Sequence, residues 1–100
     1  MQKAVANLFG KYNLSTDVQT RYIDLVSEVG ELGKEILTST DYGKKDLLIN
    51  AQMIDEVGDC LFSLFALCHE MGVDSQNALN NSLAKYEQRF DNKGDIGSDK

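Results

Sequence analysis

Apolar residues recur three and four positions apart along most of the chain, and no stretch keeps the alternation of period two that a half-buried strand requires. The pattern predicts helices only. Over Asp17–Leu37, Leu25, Val29, Leu32 and Ile36 form one stripe at about 100° per residue, with Asp24, Glu28, Glu31 and Glu35 directly beside it. Ile23, Val26, Gly30 and Gly33 occupy a further face. Lys45–Met71 repeats the arrangement: Met53, Val57, Cys60, Leu64, Leu67 and Met71 face one way, Glu56 and Asp59 flank them, and Ile54, Gly58, Phe62 and Phe65 cover another side. Two such faces predict that both central helices are doubly buried, each with a second packing partner.

Shorter helices are predicted over Gln2–Tyr12 and Ser75–Phe90, separated from the long ones by turn-forming clusters at Asn13–Thr16, Ser39–Lys44 and Gly72–Ser75. Ser15 or Thr16 is available to cap the second helix, Gly72 to end the third, and Asp74 or Ser75 to open the fourth. The fold class is all-α: a four-helix bundle whose two long central helices run antiparallel. Residues 1–90 make one domain, and the polar stretch 91–100 is expected to be a disordered tail.

At 100 residues the chain has room for one core, and a monomer of this size buries only about two thirds of its unfolded surface. An apolar face shared with a second subunit is therefore expected. Ten basic against sixteen acidic residues give a net charge of −6, which excludes broad binding to a phosphate backbone. An anionic ligand would need a neutralising cation between it and the protein, which points to a metal. The first fourteen residues lack a secretory apolar run, and no segment reaches the ~20 apolar residues of a membrane span. The chain thus reads as cytoplasmic and not membrane-bound. Cys60 and Cys68, eight apart, fit neither a redox pair nor a zinc knuckle and read as reduced, buried thiols.

The quartet Glu-Val-Gly-acid occurs twice, as Glu28-Val29-Gly30-Glu31 and Glu56-Val57-Gly58-Asp59. Helix residues three apart are neighbours, so each quartet projects two carboxylates from one turn, and antiparallel packing could bring the pairs together. A mid-helix glycine costs about 1 kcal/mol relative to alanine, so glycine at both equivalent positions suggests close approach of the two helices. Two carboxylates about 4 Å apart repel by roughly 4 kcal/mol at an effective dielectric near 20, and a cation would relieve this. All-oxygen ligation suits Mg²⁺ or Mn²⁺ rather than zinc or copper. A single E-x-x-E is most often only a solvated face; two equivalent quartets, each beside an apolar stripe, carry more. Asp24, Glu35 and Asp55 read as solvated or salt-bridged.

Ser27-Glu28-Val29-Gly30-Glu31-Leu32, followed 24 residues later by Glu56-Val57-Gly58-Asp59, resembles the E-x-x-E then E-x-x-D signature of the MazG-like all-α nucleotide pyrophosphohydrolases. The likeness continues through Cys60-Leu61-Phe62 to Met71-Gly72-Val73-Asp74 and into Ala84-Lys85-Tyr86-Glu87-Gln88-Arg89, covering Asp17 to about Arg89. It implies hydrolysis of a nucleoside triphosphate between the α and β phosphates, giving monophosphate and pyrophosphate. By the same resemblance Glu28, Glu31, Glu56 and Asp59 would hold Mg²⁺, with Mn²⁺ as substitute, and one of them would orient or deprotonate the attacking water. Lys85 and Arg89, four apart on the last helix, would contact the phosphates. The assembly implied is a homodimer or dimer of dimers, and the role is clearance of non-canonical or surplus (deoxy)nucleotides. Ser27 and Leu83 depart from the family, many members of which carry glutamate and asparagine at those places, and this bears on base and sugar contacts.

Phosphoribosyl-ATP pyrophosphohydrolase is a rival within the superfamily, though its first motif usually has alanine where Gly30 stands. A non-catalytic nucleotide-binding or dimerisation module is a rival outside it. His69, alone of its kind, sits in an apolar run and reads as a core or interface histidine. Phe9, Tyr12 and Tyr22 read as core before they read as stacking platforms for a base. Ser63, one turn beyond Asp59, suits either a supporting contact or a close helix approach.

Overall fold

In the computed structural model, which describes residues 1–93, four helices follow one another: α1 (Gln2–Tyr12), α2 (Val18–Ser39), α3 (Ala51–Met71) and α4 (Ser75–Lys93). There is no strand among the described residues. α4 continues through residues 91–93, and the rest of the predicted tail lies outside the described residues.

The caps set these boundaries. Asp17, not Ser15 or Thr16, opens α2: its extended backbone lets Oδ1 accept the Thr20 N–H at 2.7 Å, and these hydrogen bonds hold its carboxyl below the usual carboxylate range. α3 begins at Ala51 rather than Lys45, because Asn50 takes an extended conformation and accepts the Met53 N–H at 2.9 Å. The segment Lys44–Asn50 is therefore a connection. Gly72, at φ 68, closes α3 with its N–H on the carbonyls of Cys68 and His69. Asp74 accepts the Asn77 N–H at 3.0 Å and caps α4.

α2 packs lengthwise on α3, and α1 crosses the C-terminal half of α3. Under α1 lies a small core in which Val5 and Phe9 meet Ala66, Phe62 and Phe65. Phe9 is only 2% exposed, with the His69 ring edge-on at 5.2 Å and the Arg21 guanidinium 4.4 Å above it. That removes Phe9 from the candidate base platforms; Tyr12 and Tyr22 remain exposed. Arg21 also donates to the Leu14 carbonyl, pinning the α1–α2 turn. At the other end Gln2 donates to the Val73 carbonyl at 2.8 Å and accepts the Ser75 N–H at 2.7 Å, tying α1 to the turn from which α4 departs.

The two central helices are not doubly buried within the chain. α2 has no fully buried residue, and Val29, expected in the core stripe, is exposed. The buried positions of α3 are Met53, Glu56, Ser63, Ala66, Leu67 and Cys68, while Ile54, Val57, Leu61 and Leu64 are exposed. A carboxylate is in and a valine is out. A Cβ added at Gly30, Gly33 or Gly58 would meet nothing within 4 Å, so these glycines do not serve the approach of α2 to α3. α4 packs through its first turns only, leaving Leu79, Leu83, Tyr86 and Phe90 exposed along its length. The radius of gyration is 16.9 Å, against about 13 Å for a compact chain of this length.

Candidate metal centre

Helical spacing puts Glu56 and Asp59 on the same side of α3, and the antiparallel course of α2 carries Glu28 to them. One carboxylate oxygen from each of the three lies within 4.8 Å of the others. Glu56 is buried, at 9% exposure, while Asp59 opens to solvent. Loss of solvation raises the Glu28 carboxyl above its usual range, and the nearby charges of Asp59, Glu56, Glu31 and Asp24 add to the rise. Desolvation likewise raises the neighbouring Cys60 thiol, helped by Glu28, Glu56 and Asp59. Both cysteines are free. The one ion pair among the described residues, Arg21 with Asp24 at 3.6 Å, leaves the three carboxylates without a cation.

Glu31 is exposed and lies outside this converging group, although its charge reaches Glu28. Lys85 and Arg89 sit on α4, where their charged groups rest 5.0 and 5.7 Å from the Tyr86 ring centroid. They form no ion pair with the carboxylates, and α4 has no extended packing against α2. Ser63 is buried one turn beyond Asp59.

Sequence reasoning passed over Gln52, whose Nε2 donates to Glu56 Oε1 at 2.7 Å. Its only signal was a position four residues before Glu56. An apolar groove of about 270 Å³ is lined by Leu32, Ile36, Leu47, Ile49, Met53, Ile54 and Val57.

Three hard oxygen donors, close together and uncompensated, suit a divalent cation of the Mg²⁺ or Mn²⁺ type. The class is thus an all-α protein in which an antiparallel helix pair carries a converging acidic cluster. Residues 17–93 match the MazG nucleotide pyrophosphohydrolase domain, and the chain belongs to that family. No curated protein and no solved structure matches it. No helix among the described residues is long and apolar enough to cross a membrane.

Proposed function

We propose that the chain is a Mg²⁺-dependent nucleoside triphosphate pyrophosphohydrolase that cleaves between the α and β phosphates. The observation that carries the reading is the convergence of Glu28, Glu56 and Asp59, with no counter-charge among the described residues, within a chain of the nucleotide pyrophosphohydrolase family. These three side chains would hold the metal, with Glu31, one turn on along α2, as the further carboxylate that could reach it. A divalent cation held there would supply charge neutralisation for the triphosphate and Lewis-acid activation of water. A carboxylate of the cluster orients the attacking water and takes its proton, the water oxygen bonds to the α phosphorus, and pyrophosphate leaves with the bridging oxygen. Lys85 and Arg89 contact the phosphates, supplying the positive charge that this end of an acidic protein lacks. The substrates are non-canonical or surplus (deoxy)nucleotides, handled in the cytoplasm.

The working unit is a homodimer or a dimer of dimers. A second copy covers the outward face of the helix pair, Ile23, Val26, Ile54 and Leu61, and meets α2 most closely at Gly30 and Gly33. Supporting this are the exposure of those four side chains and the open space over both glycines. Each glycine costs the helix about 1 kcal/mol with no compensation inside the chain. Covering α4 at the same time would bring Lys85 and Arg89 into use.

The test is pyrophosphate release from canonical and modified nucleoside triphosphates with Mg²⁺, with Mn²⁺ and with chelator. Release is expected only with metal, and the most active substrate names the specificity. Absence of hydrolysis across the whole panel with either metal overturns the reading.

A further inference from the structure

Glu56 is the one member of the acidic cluster that the fold buries, and a buried carboxylate must find hydrogen-bond donors. Among the described residues a single side chain supplies one, Gln52, one helical turn earlier, through Nε2 to Oε1 at 2.7 Å. Among the described residues neither Glu28 nor Asp59 receives a side-chain hydrogen bond, and no lysine or arginine pairs with any of the three. Among the described residues the Gln52 amide is thus the one side-chain donor placed directly on this cluster.

We infer that Gln52 is a positioning residue: its amide holds Oε1 of Glu56, fixes the carboxylate in the rotamer that faces Glu28 and Asp59, and leaves Oε2 free as a single-oxygen ligand for a divalent cation. The inference rests on the metal reading above and deepens it. Groups that hold a ligand by hydrogen bond from behind typically change metal affinity 10–100-fold when removed, because the ligand then loses its preset orientation. An ordinary surface pair of the same spacing does no such thing, and the chain contains one for comparison: Gln76 donates to Asn80 at 3.0 Å on α4, and neither belongs to the acidic cluster. Gln52 itself is exposed, so replacing it disturbs no core packing.

The experiment is a Mn²⁺ titration of the full chain without nucleotide, following the free-ion paramagnetic resonance signal. Wild type, Gln52→Met, Gln52→Ala, Gln76→Met and Glu56→Ala are compared, with a thermal melt of each in chelator. Gln52→Met and Gln52→Ala are expected to bind Mn²⁺ about tenfold more weakly, with Gln76→Met equal to wild type. All three glutamine variants should melt within a narrow range of one another. If Glu56→Ala loses Mn²⁺ while both Gln52 variants bind as wild type does, Gln52 is a surface pair and the inference is wrong, with the metal reading intact. If wild type itself binds no Mn²⁺, the metal reading falls and takes this inference with it.

Discussion

Replacing Glu56 by glutamine keeps the shape of the side chain and its acceptor for Gln52, and deletes one charge from the crowded cluster. The repulsion it removes follows from the geometry. Taking the Glu56–Asp59 pair at the 4.8 Å bound gives about 3.5 kcal/mol at an effective dielectric of 20 and about 1 kcal/mol in bulk water. Asp59 opens to solvent, which places the true figure toward the lower bound. A gain of about 1 kcal/mol in a domain of this size raises the melting temperature by roughly 4–8 °C. Glu56→Gln should therefore melt higher than wild type in chelator. With Mn²⁺ the order should reverse, since a ligand bound only to the folded state stabilises wild type and the variant has lost one of its donors. Pyrophosphate release should fall at least about a hundredfold, beyond what loss of a supporting contact gives. The assay is a pair of melts, chelated and Mn²⁺-loaded, beside a turnover measurement. A variant that melts below wild type in chelator would refute the reasoning, because the Glu56 charge would then be stabilised by its surroundings and need no cation.

The raised Glu28 carboxyl has a signed consequence for pH. A folded-state value above the unfolded one gives stability that is present at low pH and is lost as pH rises through the folded value. Metal-free wild type should thus lose stability relative to Glu28→Gln as pH climbs from about 4.5, the ordinary glutamate value, while Mn²⁺ binding strengthens over the same interval; parallel melting curves for the two proteins would contradict it. Gly33→Ala should raise the helical stability of the isolated chain by up to about 1 kcal/mol and weaken self-association, read by light scattering across a dilution series. Stronger association in that variant would show that the second copy docks elsewhere.

Helix existence and the pairing of α2 with α3 were legible because both rest on periodicity, and so was the meeting of Glu28, Glu56 and Asp59, which needs only three-residue spacing and an antiparallel course. The start of α3 was not: Leu47-Leu48-Ile49 reads as a helical apolar run, and the Asn50 side chain, by capping Met53, decides otherwise. Which side of α3 turns inward was also hidden, because apolar residues occur on both; Glu56 and Ser63 go in while Val57 and Leu64 stay out. Periodicity ranks faces by hydrophobicity and says nothing of a charged residue buried beside an acidic neighbour. The glycines suggested a close approach of α2 to α3, and the structure does not have one there: among the described residues nothing lies over Gly30, Gly33 or Gly58. The direction in which α4 leaves depends on contacts between Gln2 and residues more than seventy positions away, which no local pattern records.

That last clamp makes α4 a lever. Its fulcrum is the Val73–Ser75 turn held by Gln2, and its arm to Arg89 is fourteen residues, about 21 Å at 1.5 Å per residue. A tilt of about 10° at the fulcrum swings Arg89 by about 4 Å, comparable to the reach of an ion pair. Any small slide of α1 over α3 would thereby be amplified at Lys85 and Arg89, so the hydrogen bonds of Gln2, near one end of the chain, bear on where its last helix points.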